Sequence, residues 1–92
     1  MNLYQKILDK APLQSRTRGK EVSILRVEQI GNMVYGDTDK WMAEINILKE
    51  SFSCTCPAFW NQRNKQDYVD IPEVEKYPCK HICALCLKML EK

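Results

Sequence analysis

No apolar stretch in this chain approaches the roughly 18 residues that a transmembrane helix needs. Its first ten residues, MNLYQKILDK, carry no charged lead followed by a long apolar run, so no secretory signal is expected. A reducing compartment, cytoplasmic or at the nucleus or nucleoid, is therefore expected, where structural disulfides are rare. Internal repeats and low-complexity tracts are absent. There is one histidine in 92 residues. No Ser/His/Asp set, glycine-rich phosphate loop or paired-carboxylate arrangement stands out, so a non-enzymatic role is expected.

What is present is one domain's worth of chain with a modest core. Its composition, 45% apolar and 28% charged, argues against wholesale disorder. The net charge of +2 implies little about partners, but residues 1–20 hold five basic side chains against Asp9 alone. The five cysteines are Cys54, Cys56, Cys79, Cys83 and Cys86, all in the C-terminal half. An odd, clustered set near a histidine points to a metal site rather than to a disulfide framework.

Leu3, Tyr4, Ile7, Leu8 and Ala11 recur at helical spacing behind Asn2, a suitable N-cap, and Pro12 ends the run. Residues 1–12 are therefore expected as an amphipathic helix whose apolar face packs on a sheet, with a docking surface as the alternative. Residues 14–20 (QSRTRGK) are polar and basic and read as a loop. Residues 22–50 read as an antiparallel meander. Its parts are a strand from Val22 to Gln29, a turn at Ile30-Gly31-Asn32, a short strand Met33–Tyr35, and an alternating strand Trp41–Leu48. That last strand puts Trp41, Ala43, Ile45 and Ile47 on one side. Ser51–Cys54 reads as a brief strand, and 61–77 as a loop with a helical turn after Pro72. A helix is expected from Cys79 onward. One of its faces carries Ile82, Leu85, Cys86 and Met89, with Cys83 and Leu90 beside them; Lys80, Ala84, Lys88 and Glu91 lie opposite.

The chemistry concentrates in Cys54-Thr55-Cys56-Pro57 and Pro78-Cys79-Lys80-His81. Structural zinc takes four tetrahedral ligands, usually thiolate sulfur and imidazole nitrogen. Two cysteines one residue apart can face one ion where a strand leaves at a tight turn, and a Cys-x-His pair at a helix start can close the site. Cys54, Cys56, Cys79 and His81 thus make a candidate site for one Zn2+ per chain. Its formal charge of −1 is within reach of Lys80 or Arg63. Cys83 and Cys86 follow the apolar phase of the helix and read as packing residues rather than as rival ligands or a redox pair.

Cys-x-Cys, a spacer, then Cys-x-His resembles the SWIM-type zinc finger. Pro57 after the second cysteine and the run Pro78-Cys79-Lys80-His81-Ile82-Cys83-Ala84 fit that pattern, and so do the upstream segments Arg18-Gly19-Lys20, Val34-Tyr35-Gly36 and Trp41–Leu48. The resemblance covers residues 16–90. It implies an α+β fold, with a small antiparallel β-sheet feeding a ββα-type zinc finger behind the N-terminal helix. Residues 13–92 would form a single domain, with the meander at 22–50 and the finger with its C-terminal helix at 51–90. The family's domains occur in chromatin ATPases, transposases, ubiquitin-ligase kinases and regulators of RecA-family recombinases, as DNA-binding or protein-interaction modules. A nucleic-acid-binding module is therefore expected, DNA ahead of RNA. The alternative is an adaptor in a DNA-repair or recombination complex, partnered for example by a recombinase-like ATPase.

Arg16, Arg18, Lys20, Arg63, Lys65 and Lys80 are the candidates for phosphate contacts, with a solvated surface as the plainer alternative. Phe59 and Trp60 can stack on bases or close a small core, and the second use is the commoner one.

Overall fold

A computed structural model of the protein describes residues 2–62 and 76–91. Two helices, α1 (Leu3–Lys10) and α2 (Leu13–Gly19), precede the strands β1 (Arg26–Ile30), β2 (Met33–Asp37), β3 (Met42–Asn46) and β4 (Ser51–Cys54). The short α3 (Pro57–Trp60) and the longer α4 (Lys80–Leu90) follow. The strands pair antiparallel in chain order, β1-β2-β3-β4. This is the α+β arrangement expected, with the Cys/His cluster toward the C-terminal end.

Local chemistry explains several boundaries. The Asn2 side chain accepts the Tyr4 N–H at 2.8 Å and caps α1. Ile30 pairs with Met33 across a two-residue loop, and Gly31 takes φ +59 at its first position. That is the left-handed conformation a type II′ hairpin turn requires there. Lys49 N–H donates to Asn46 Oδ1 at 3.0 Å, which starts the turn between β3 and β4.

Other boundaries differ from expectation. The 14–20 segment is not a loop, because Leu13–Gly19 is helical. Its Gln and Arg residues tolerate helix well, but a seven-residue helix needs tertiary support, and α4 supplies it. The first strand begins at Arg26 rather than Val22. Arg26 pairs with Asp37, the last residue of β2, so Val22–Ile24 have no ladder partner among the described residues. Leu25 makes the final bond, from its N–H to Asp37 O at 2.8 Å. The strand expected over Trp41–Leu48 is trimmed to Met42–Asn46 by the Thr38–Trp41 turn before it and the turn after Asn46. The loop expected at 61–77, with its helical turn after Pro72, lies mostly outside the described residues.

Alternation puts Val34, Ala43 and Ile45 on the buried face of the sheet. Against it lies α4, which contacts α1, α2, β3 and β4. Ile82, Cys83, Leu85 and Cys86 are fully buried, so the two cysteines do pack as small apolar groups. The apolar face of α1 packs on α4 rather than on the sheet. Ala84, expected on the solvent side of α4, is also buried, because α2 covers it. At that contact a Cβ on Gly19 would stand 2.8 Å from Cys83 Cβ, 3.1 Å from Lys80 O and 3.2 Å from Ala84 N. The backbones of α2 and α4 approach this closely only because residue 19 has no side chain. Among the described residues no helix is long and apolar enough to cross a membrane.

Candidate metal centre

The first pair of donors comes from the end of the sheet. Cys54 is the last residue of β4 and Cys56 the N-cap of α3, whose first position holds Pro57. Thr55 between them is turned the other way and clamps the neighbouring strand. Its Oγ1 accepts the Met42 N–H at 2.9 Å, and its own N–H donates to Met42 O at 3.1 Å. The cysteines on either side therefore face inward together. The second pair starts α4, with Cys79 as its N-cap and His81 in the first turn.

All four residues are buried, and their donor atoms lie within 4.8 Å of one another. His81 Nδ1 is 3.7 Å from both Cys54 Sγ and Cys79 Sγ. A tetrahedral ion with metal–sulfur bonds near 2.3 Å and metal–nitrogen bonds near 2.0–2.1 Å sets that separation at about 3.6 Å. The donor set thus fits a four-coordinate metal ion with little adjustment. It uses the Nδ1 edge of the imidazole, which leaves the ring proton on Nε2.

The three thiols shift one another through their hydrogen bonds. Cys54 is pushed well above the usual thiol range, first by its hydrogen bond with Cys56 and then by the one with Cys79. Cys56 is pulled well below it by the hydrogen bonds from Cys54 and Cys79. For Cys79 the bond with Cys54 lowers the value, but the bond to Cys56 and burial together raise it to about 11. Three buried sulfurs this close cannot all ionise alone, whereas a divalent cation among them would hold all three as thiolates. Cys83 differs in kind. Burial first, and then the neighbouring Cys79, push it to about 12, partly offset by Arg16. It behaves as a neutral core thiol.

The basic candidates separate because residues 13–19 are helical. Arg16 and Lys20 line a cavity of about 270 Å³ with Leu8, Leu13, Leu87 and Leu90. Arg16 is half-buried, and its Nε is buried with no hydrogen-bond partner among the described residues. Arg18 lies elsewhere. With Lys80 it lines a cavity of about 350 Å³ that also borders Cys79 of the cluster, Gln62 and Tyr77. Arg63 and Lys65 lie outside the described residues. The two aromatics after Pro57 also part company. Phe59 is fully buried, edge-on to Phe52, while Trp60 is 46% exposed.

Tyr77 was not among the expected site residues. Gln62 grips its backbone twice, accepting the Tyr77 N–H at 2.7 Å and donating to Tyr77 O at 2.7 Å. Tyr77 is 54% exposed and lines the cavity. Its position two residues before a metal ligand is the one sequence signal that pointed to it. Searches against protein-family models, curated proteins and solved structures find no match for this chain.

Proposed function

We propose that the chain is a zinc-binding module of the SWIM type that binds nucleic acid without catalysis, DNA ahead of RNA, inside a reducing compartment. Three thiols and an imidazole in a tetrahedral set are the donors zinc prefers for structural use. Four protein donors fill that set and leave no position for a reacting water or substrate, which supports a non-enzymatic role. Bound zinc would supply a cross-link between the end of β4 and the start of α4. Cys54 and Cys56 would hold one side of it, and Cys79 and His81 the other.

The nucleic-acid reading rests on one observation. Arg18 from α2 and Lys80 from α4 line the same cavity beside Cys79, and no acidic residue is among the described residues lining it. Three thiolates, an imidazole and a divalent ion leave one negative charge, and the two cations outweigh it. Phosphate attraction of this kind is sequence-tolerant and salt-dependent. The test is a salt titration of binding to an arbitrary DNA. The log–log slope should fall by about 0.7–0.9 per phosphate neutralised. Absence of binding at low salt, or binding indifferent to salt, refutes it.

A second reading, an adaptor in a repair or recombination complex, draws on a different observation. Leu8, Leu13, Leu87 and Leu90 form the apolar part of the cavity that Arg16 and Lys20 also line, and Leu13 is 71% exposed. Loss of a partner protein from pull-downs on Leu13→Glu, with DNA binding intact, would favour the adaptor.

A further inference from the structure

We infer that the cavity between α2, the end of α3 and residues 77–80 is a subsite for one nucleotide of a single strand, its base against the Tyr77 ring and its phosphodiester between Arg18 and Lys80. This deepens the nucleic-acid reading and rests on it.

Shape is the first argument. At about 350 Å³ the cavity sits at the small end of the roughly 300–1,000 Å³ range of small-ligand clefts. It is concave and has room for one unstacked nucleotide. A duplex keeps its bases paired and stacked, out of reach of such a recess, and presents its phosphates on a convex surface.

The second argument is the presentation of Tyr77. An aromatic residue as exposed as Tyr77, at 54%, usually has neither its backbone nor its ring held. Here both backbone polar groups of Tyr77 are bonded to the Gln62 carboxamide, and the next residue, Pro78, is fully buried. The backbone is pinned while the ring stays out. An exposed aromatic side chain carried on an anchored backbone beside cations offers a platform on which single-stranded bases stack, with little regard to sequence because every base has a π-face. The Gln62 carboxamide is consumed by its grip on Tyr77, so it contributes no base-edge readout.

Charge is the third. Arg18 and Lys80 are both exposed and come from different helices, so they border the recess from two sides. Lys80 opens α4, where the positive end of the helix dipole adds to its potential.

The experiment uses the full metal-loaded chain and fluorescence anisotropy at low salt. The probes are an oligothymidylate of about ten nucleotides and a hairpin duplex, with thymidine monophosphate as competitor. Tyr77→Ala should weaken oligothymidylate binding by roughly 5- to 150-fold, the loss of one base–aromatic stack. Tyr77→Phe should bind like wild type. Both variants should keep full metal content and unchanged duplex binding, whereas Arg18→Ala with Lys80→Ala should weaken both nucleic acids. An oligothymidylate carrying 5-iodouracil should cross-link to Tyr77 on irradiation.

If Tyr77→Ala leaves the oligothymidylate affinity unchanged, or the adduct forms at Trp60 instead, the subsite is overturned while the nucleic-acid reading stands. Competition by the mononucleotide as strong as that of the oligomer also overturns the single-strand assignment. No binding to either nucleic acid sinks both.

Discussion

Replacing Gly19 with alanine sets two effects of opposite sign against each other. Helix propensity favours the change by up to about 1 kcal/mol, and less at the last residue of a helix. Packing opposes it. The new Cβ would sit 2.8 Å from Cys83 Cβ, closer than such atoms normally approach, with Lys80 O at 3.1 Å and Ala84 N at 3.2 Å. None of these three atoms can rotate away, since two belong to the α4 backbone and the third is attached to it. The helices must separate by several tenths of an ångström, and overpacking of this kind costs about 1–3 kcal/mol. The packing effect wins, leaving a net loss of about 1–2 kcal/mol. For a domain of this size the melting temperature should fall by about 5–15 °C. Lys80 and Cys83 flank the ligand His81, so the strain also bears on the metal centre. Transfer of zinc to a chromophoric chelator should be faster in Gly19→Ala than in wild type. Circular dichroism melts and a chelator-competition trace measure the two effects. A raised melting temperature would mean that propensity dominates and that α2 is not pressed against α4.

Four further outcomes can be checked. Cys54→Ser, Cys56→Ser, Cys79→Ser and His81→Ala should each sharply weaken zinc retention, read as metal per chain after gel filtration. Cys83→Ala and Cys86→Ala should keep one equivalent and lose only about 1 kcal/mol of stability in urea melts, since each vacates a small buried volume. Chelation should lower amide-exchange protection first at β4 and the first turn of α4, the two ends the metal would join; equal protection with and without metal speaks against the site. Alkaline pH should destabilise the fold. The Cys83 thiol is raised from 9.0 to about 12 by burial, so the stability it contributes is complete below pH 9 and drains away as pH rises toward 12. The slope of stability against pH in that window should be smaller in Cys83→Ala, and an identical slope would mean that burial does not raise the Cys83 thiol.

The residues of the metal cluster were legible in the sequence. Cys-x-Cys before a proline and Cys-x-His at a helix start are short-range patterns, and each pair needs only its own turn to aim it. The alternation over Met42–Asn46, the turn at Gly31-Asn32 and the Asn2 cap were legible for the same reason: the physics that sets them acts within a few residues. The amino-acid order by itself therefore determined the meander, both flanking helices and the four donors.

Contacts between elements were decided only in three dimensions. α2 carries no apolar period to announce it, and it is helical because Gly19 lets its backbone lie against α4. Once α2 is a helix, Arg16 and Arg18 sit about 200° apart around its axis, so a single basic segment becomes two separate surfaces. Ala84 is buried by that same helix, although its own periodicity places it outside. Val22–Ile24 fall out of the sheet because β2 stops at Asp37 and offers them no partner. Tyr77 is presented to the cavity by Gln62, fifteen residues earlier in the chain. Spacing within one element cannot encode any of these, because each depends on what a distant segment brings to meet it.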